Sequence, residues 1–190
     1  MKDKFIPRKD TSYSAGLAYF ITQPAPELIL VLQKAGERNQ QKQGPDFIER
    51  RAWKIPMGHF DPAKDFNLLD TATREFQEET GLEINLNETS IQGEMSRRIP
   101  SERPGHSFHE DKFFLMSAAS YPEEVGKKRD ASIEKVAAFS LSTFPVSTLV
   151  DDACLAPGHR KKLVALFLNC SSYLKELGVE VDALLARLEL

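Results

Sequence analysis

The sequence predicts an α/β protein, because strand-like and helix-like hydrophobic patterns both occur along the chain. Short segments rich in aromatic and apolar residues are typical of strands, whereas apolar residues spaced three and four apart are typical of helices. The 190 residues are 41% hydrophobic, which is enough to bury one core. We therefore expect a single domain over residues 1–190.

Charge and cysteine content exclude several classes of function. A net charge of −3 gives no overall attraction to bulk nucleic acid or to an anionic membrane, so neither is an expected partner. The N-terminus lacks an apolar signal segment, and no apolar run reaches the length of a membrane span. Cys154 and Cys170 have neither metal-binding nor redox spacing and are expected to be buried thiols. These features predict a cytoplasmic protein.

Two apolar segments near the N-terminus predict a hairpin that opens the sheet. Tyr13–Ile21 and Glu27–Gln33 have strand-like composition, and Pro24 and Pro26 separate them.

The next segment, Lys34–Arg51, is long and polar. It is either a mobile loop or a lid that faces a substrate, because long loops in compact domains often carry function. Arg51 lies where this segment returns to the sheet. Its guanidinium group suits phosphate, which makes Arg51 a candidate substrate-binding residue.

The most informative segment predicts a helix that ends near Thr80 and carries three carboxylates on one face. Glu78 and Glu79 follow Glu75 by three and four residues, and Arg74 can reach Glu78 along the same side. Either Asp65 or Asn67 can cap the start of this helix, and Gly81 suits a left-handed turn at its end.

Like charges this close raise one another's pKa and destabilise the helix unless a cation neutralises them. Clustered oxygen ligands suit Mg²⁺ or Mn²⁺ rather than zinc. The alternative is a solvated acidic helix face.

Later segments add strands, helices and basic residues. Leu82–Leu86 and Phe108–Met116 are predicted as strands. Helical spacing predicts a helix over His159–Leu177 and a shorter one over Glu180–Leu190, which either docks on its own domain or forms a homodimer contact.

Arg97 and Arg98, with Arg103 nearby, form a basic stretch that is either solvated or binds substrate phosphates. Phe108 either stacks on a base or packs in the core.

The segment Arg-Glu-Phe-Gln-Glu-Glu-Thr-Gly-Leu, residues 74–82, resembles the second half of the Nudix box. The family pattern is Arg-Glu-aliphatic-any-Glu-Glu-any-Gly-aliphatic, and only the aromatic Phe76 departs from it. The first half departs more, because Lys64 occupies the glutamate position and two extra residues separate Gly58 from Arg74. Two residues are candidates to replace that glutamate: Asp61 and Asp65.

The resemblance extends over about residues 13–177, with 178–190 as a helical tail. It implies a Nudix fold, in which a mixed β-sheet lies between α-helices (α/β/α). It also implies a strand and turn over Ile133–Phe144. In this region many family members supply a further carboxylate, as metal ligand or general base, and Glu134 is our first choice for it. Its competitors are Glu110, Asp111 and Asp130.

The resemblance further implies a metal site and a reaction. Glu75, Glu78 and Glu79 would bind Mg²⁺ (or Mn²⁺), together with a backbone carbonyl from Gly58 or Met57. The reaction is hydrolysis of a pyrophosphate bond in a nucleoside diphosphate linked to another moiety. One glutamate, with Glu78 as our choice, or a metal-bound hydroxide would generate the nucleophile, and Arg74 would orient Glu78.

Two alternatives belong to other classes. The first is a Nudix-like nucleotide-binding or regulatory module without turnover, suggested by Lys64 and by Met57 in place of a family glycine. The second is isomerisation of an isoprenyl diphosphate, which needs a cysteine upstream of the box, whereas both cysteines lie downstream. The substrate stays open among nucleoside triphosphates, nucleotide sugars, ADP-ribose, dinucleotides and capped RNA.

Overall fold

The computed structural model describes residues 4–34, 51–101, 104–124, 130–144 and 154–189. Most of the predicted lid (35–50) and Arg103 lie outside the described residues. In this described part of the chain, eight strands form one sheet: β1 (Thr11–Ile21), β2 (Glu27–Gln33), β3 (Ala52–Lys54), β4 (Met57–His59), β6 (Ser90–Pro100), β7 (Phe108–Ala118), β9 (Ile133–Ser140) and β10 (Cys154–Leu155). Two short strands form a separate pair: β5 (Leu82–Glu83) and β8 (Glu123–Glu124).

The sheet is mixed, and β1 lies at its centre. The strand order is β10-β3-β2-β1-β7-β6, with β4 also paired to β1 and β9 to β2. The pairs β1–β7 and β3–β10 are parallel, and the remaining pairs of this sheet are antiparallel. The predicted hairpin of β1 and β2 is therefore confirmed.

Among the described residues, four helices cover the two faces of the sheet: α1 (Leu68–Thr80), α2 (Pro157–Asn169), α3 (Ser171–Glu176) and α4 (Val181–Glu189). Because side chains alternate along a strand, β1 contributes to two cores. Leu17 and Tyr19 pack on the α1 side with Phe76. Ala18 and Phe20 pack on the opposite side against α2 and α4. The predicted α/β/α arrangement is confirmed.

The C-terminal part of the chain departs from the prediction in one respect. The helix predicted over His159–Leu177 is interrupted at Cys170, which ends α2 and precedes α3. In α4, Leu184 and Leu188 are fully buried in the core on the α2 side, so this helix docks on its own domain. A homodimer stays a prediction.

Two further differences concern strands. The strand predicted over Leu82–Leu86 ends at Glu83, and the basic stretch is part of an edge strand, β6, which we did not predict. The alternation of β6 is weak, because most of its side chains are exposed or half-buried. No helix in the described part of the chain is long and apolar enough to cross a membrane.

Candidate active site

Helix α1 begins and ends at the predicted kinds of residue. Asn67 is the N-cap, and its side chain accepts hydrogen bonds from the backbone N–H groups of Leu69 and Asp70. The Asp70 carboxylate in turn accepts a hydrogen bond from the Asn67 N–H, which completes a capping box. Gly81 ends the helix with φ of 73°, in the left-handed region that favours glycine. The cap thus fixes where the carboxylates of α1 lie.

The three glutamates differ in exposure. Glu78 has an exposed side-chain fraction of 50%, whereas Glu75 has 16% and Glu79 has 8%. Burial raises the pKa of Glu75, although Arg74 opposes the shift. Burial also raises the pKa of Glu79, to about 7, although Lys54 opposes it. One glutamate therefore faces solvent, and two lie against the protein.

Glu75 lies directly against the backbone of β4. A Cβ atom added to Gly58 would overlap the carboxyl group of Glu75, so a glycine is needed for this close approach. Glu75, a predicted metal ligand, and Gly58, whose carbonyl is a predicted backbone ligand, are therefore neighbours.

Arg74 holds this site together through all five of its N–H donors. Nε and Nη2 donate to the two carboxylate oxygens of Asp65, at 2.8 and 2.9 Å. Nη1 donates to Glu75 at 2.6 Å and to Glu78 at 3.0 Å, and Nη2 donates to the His59 carbonyl at 3.0 Å. The predicted contact between Arg74 and Glu78 is present, and the guanidinium also joins the helix to β4.

Of the two acidic candidates, Asp65 is the one that contacts Arg74. Burial alone would raise the pKa of Asp65, but hydrogen bonds from Arg74, the Asp61 amide and Thr71 hold it below its usual range. Asp61 instead lies 3.9 Å from Lys64 in an exposed pair. Asp65 is therefore ionised and fixes the guanidinium.

Glu79 has a buried partner that the sequence reasoning missed. Lys54 donates from Nζ to Glu79 at 2.7 Å, and the Met57 N–H donates to the other carboxylate oxygen at 3.1 Å. Both side chains are about nine-tenths buried, with exposed fractions of 11% for Lys54 and 8% for Glu79. The signal in the sequence is a single lysine inside the apolar run Ala-Trp-Lys-Ile-Pro.

The carboxylates are ion-paired to basic side chains in this structure. Within the described ranges, no three His, Cys, Asp or Glu side chains are arranged to hold a metal ion. The donor chemistry does fit a hard cation, because carboxylate and carbonyl oxygens are the ligands that Mg²⁺ and Mn²⁺ prefer. Glu78, whose side chain is half-exposed, is the member most free to change its position.

A predicted substrate-binding residue, Arg51, contacts the predicted further carboxylate, Glu134. Glu134 on β9 forms an ion pair with Arg51, whose Nε lies 2.7 Å from Glu134 Oε2. Arg51 immediately precedes β3, the strand that carries Lys54. Glu134, expected as a metal ligand or general base, and Arg51, expected as a phosphate ligand, thus neutralise one another.

The remaining substrate-binding candidates, Arg97, Arg98 and Phe108, lie on strands β6 and β7, on the other side of β1 from β2 and β3. Arg97 and Arg98 are exposed on β6, which is separated from β1 by β7. The Arg98 guanidinium lies 3.9 Å from the centroid of the Phe108 ring, and Phe108 is 36% exposed. Phe108 therefore does not pack in the core, and it forms a flat exposed surface with Arg98.

A second polar cluster, which the sequence reasoning missed, lies on the α2 face of the sheet. Ser14 Oγ and His109 Nε2 both contact Asp111 Oδ1, at 3.2 and 2.9 Å. Lys162 from α2 lies 3.2 Å from Asp111 Oδ2. Burial alone would raise the pKa of Asp111, but Lys162 and His109 hold it below its usual range. Ser14, Asp111 and Lys162 are far apart in sequence, so no local motif marks the cluster.

The family follows from a match over most of the chain. The sequence profile of the NUDIX domain matches residues 14–165. The chain belongs to the Nudix family.

Solved Nudix structures share its fold at low sequence identity. The NUDIX domain of Shewanella oneidensis NrtR, complexed with ADP ribose, is 14% identical, with a TM-score of 0.54 and coverage of 82% of this chain and 86% of that one. A C. elegans Ap4A hydrolase is 16% identical, with a TM-score of 0.52 and coverage of 87% and 98%.

A bifunctional NMN adenylyltransferase/ADP ribose pyrophosphatase from Francisella tularensis, complexed with AMP and Mn, is 17% identical. Its TM-score is 0.55, and the alignment covers 87% of this chain and 43% of that one. A search of curated protein sequences found no match. Below 25% identity, these likenesses show the fold.

Proposed function

We propose that this Nudix protein is a metal-dependent hydrolase that cleaves a pyrophosphate bond in a nucleoside diphosphate linked to another moiety. The observation that carries the proposal is the arrangement around Arg74, which contacts both Glu75 and Glu78, with Glu75 packed directly against Gly58. The ADP ribose and Ap4A named for two structural relatives are members of the proposed substrate class. We also propose a single Nudix domain over residues 1–190.

Glu75, Glu78 and Glu79 would hold Mg²⁺ (or Mn²⁺), with the carbonyl of Gly58 as a further ligand. When bound, the ion neutralises phosphate charge and lowers the pKa of a water molecule. The manganese in the Francisella tularensis structure supports this choice of ion. The Glu79 side chain is held in one orientation, because Lys54 and the Met57 amide each donate a hydrogen bond to one of its two carboxylate oxygens.

Glu78 is our candidate for the residue that removes a proton from the attacking water. Arg74 holds one of its carboxylate oxygens at 3.0 Å, while half of the side chain stays open to solvent. A general base needs this combination of fixed position and access. Arg74 itself has no unused N–H donor, so its role is to position Glu75 and Glu78 rather than to bind phosphate.

Four residues are proposed to bind the substrate: Arg51, Arg97, Arg98 and Phe108. Arg51 would exchange Glu134 for a substrate phosphate, which frees the Glu134 carboxylate to act as a further base or metal ligand. The exposed surface formed by Arg98 and Phe108 would stack on a nucleobase, because every base presents a π-face.

The test is nucleotide and phosphate release from a panel of nucleoside diphosphate derivatives with Mg²⁺ or Mn²⁺. We expect one class to be cleaved, and we expect Glu78→Gln, which keeps size and removes charge, to lose that activity. Full activity in Glu78→Gln would show that the assignment of this residue is wrong.

A matched pair of variants tests the role of Arg74. Asp65→Asn removes the carboxylate that fixes the guanidinium, so we expect cleavage to fall by about tenfold to a hundredfold, as for outer-shell partners of metal sites. Asp61→Asn, four residues away and paired with Lys64, is the control and should keep wild-type activity. Equal effects of the two variants would contradict the assignment of Asp65.

A nucleotide-binding module without turnover is the second candidate. It is favoured by the ion-paired state of Glu75 and Glu79 and by Lys64 at the box glutamate position. Nucleotide binding that depends on metal, with no product from any member of the panel, would favour this function over hydrolysis.

A further inference from the structure

The β3–β4 segment, residues 54–59, lies against the carboxylates of α1. The Met57 N–H donates to a carboxylate oxygen of Glu79 at 3.1 Å. Gly58 lies so close to Glu75 that a Cβ atom added to the glycine would overlap the carboxyl group. The positions of two proposed metal ligands therefore depend on where the backbone of this segment lies.

The beginning of α2 also contacts the β3–β4 segment. His159 Nδ1 accepts a hydrogen bond from the Ile55 N–H at 3.1 Å, and Lys162 Nζ lies 3.7 Å from Met57 Sδ. His159 and Lys162 are three residues apart, so their side chains project from one face of α2. The β3–β4 segment is therefore held by contacts with both α1 and α2.

The Lys162 ammonium group is itself fixed in position. It lies 3.2 Å from Asp111 Oδ2 and 4.6 Å from the centroid of the Phe113 ring. The Lys162 side chain is only 11% exposed, so salt in the solvent screens its ion pair with Asp111 weakly. Asp111 and Phe113 both belong to β7, which pairs along its whole length with β1. Lys162 therefore ties Met57 to the middle of the sheet.

The Met57 side chain contacts both this ammonium group and β1. Met57 pairs with Gly16 across the β1–β4 pair, and a Cβ atom added to Gly16 would lie 2.8 Å from the Met57 Cβ. Met57 stands in place of a family glycine, and because it lies in an extended strand, its side chain introduces no backbone strain. The side chain makes a contact with α2 that a glycine could not make.

We propose that Lys162 is a positioning residue of the active site. It holds the Met57 side chain against β1 and so fixes the backbone of Met57 and Gly58. That backbone supplies the N–H group that orients Glu79 and the surface on which Glu75 packs. Lys162 acts through Met57 rather than by contact with substrate. Because the same metal ligands are involved, this role rests on the proposed function.

The first measurement is amide hydrogen exchange in the metal-free, ¹⁵N-labelled full-length protein, followed by NMR. The variant Lys162→Met/Asp111→Asn removes both charges of the ion pair, so neither charge is left buried without its partner. We expect the Met57 amide to exchange about fivefold faster in this variant, relative to the amides of the buried strand β2. A loss of overall stability would speed all of these amides together, so the ratio reports on the β3–β4 segment alone.

The second measurement is the affinity for Mn²⁺, obtained from the electron paramagnetic resonance signal of the free ion. We expect Lys162→Met/Asp111→Asn to bind Mn²⁺ about tenfold more weakly, as for outer-shell partners of metal sites. Met57→Ala removes the side chain through which Lys162 acts and should reproduce both effects. Adding Met57→Ala to the Lys162 variant should have little further effect, because the two changes break the same contact.

Lys161→Met is the matched control, because it removes a lysine charge from the exposed neighbouring position of α2. It should change neither the exchange ratio nor the affinity for Mn²⁺. Equal effects of Lys161→Met, additive effects of Met57→Ala, or an unchanged exchange ratio or Mn²⁺ affinity in the Lys162 variant would overturn the proposal.

The hydrolase function can fail separately from the role of Lys162. Mn²⁺ binding by the wild type without cleavage of any nucleotide would contradict only the hydrolase function, and the two measurements would still decide the role of Lys162 because neither requires turnover. No saturable Mn²⁺ binding by the wild type would overturn the role of Lys162 together with the proposed metal site.

Discussion

Replacing His159 by asparagine is expected to make the fold less sensitive to acid. His159 is half-buried at the start of α2, and its Nδ1 accepts a hydrogen bond from the Ile55 N–H at 3.1 Å. Burial, followed by the nearby Lys162 and Lys54 ammonium groups, lowers its pKa from 6.5 to about 3. The ring is therefore neutral in the folded protein at pH 5, whereas most unfolded chains carry a proton there.

The size and sign of the effect follow from this pKa difference. Because the unfolded state binds the proton more tightly, stability is fully present above pH 6.5 and is lost as the pH falls toward 3. The loss attributable to His159 is about 2 kcal/mol at pH 5 and about 4 kcal/mol at pH 3.

Urea unfolding at pH 8 and pH 5 measures this loss in the wild type and in His159→Asn. The asparagine Oδ1 can keep the hydrogen bond from Ile55, and the comparison at pH 8 gives the cost of the substitution itself. We expect the difference in unfolding free energy between the two pH values to be about 2 kcal/mol smaller in the variant. The same pH dependence in both proteins would refute the reasoning.

Three further predictions concern the active-site helix. Gly58→Ala should displace Glu75 and lower kcat about a hundredfold with an unchanged circular dichroism spectrum, and normal turnover would contradict the close approach. Lys54→Met should lower the free energy of unfolding by about 3–5 kcal/mol, because it leaves Glu79 buried without its partner. Lys54→Met/Glu79→Gln should recover most of that loss in the same urea experiment, and equal losses would argue against the pair. Asn67→Ala should cost about 1 kcal/mol of stability and Asn67→Asp almost none, as measured by urea unfolding.

The sequence predicted the parts of the site that are local. Glu75, Glu78 and Glu79 share a face because helical spacing alone puts them there, and Gly81 ends the helix because few other residues tolerate its φ. Strands β1 and β2 followed from composition in the same way.

The parts that were missed depend on contacts between distant segments. Lys54 reaches Glu79 only because β3 lies beside the end of α1, and Lys162 reaches Asp111 only because α2 packs on the sheet. Asp65 was one of two equal candidates until the fold brought it against Arg74. Edge strand β6 was missed because neither of its faces is deeply buried. Its sequence therefore lacks the alternation of apolar and polar residues that marks a strand with one buried face.

The parallel pairing of β1 with β7 has a consequence for how the protein is made. Ser14 and Asp111 are partners across this pair although 97 positions separate them in the chain. Contacts between such distant segments carry a large loop-closure cost and form slowly. A growing polypeptide that has just completed α1 already contains every glutamate of the box, but it lacks the strand that completes the centre of the sheet. During synthesis, α1 therefore has a complete sheet to pack on only after the second half of the chain, which contains β7, has been made.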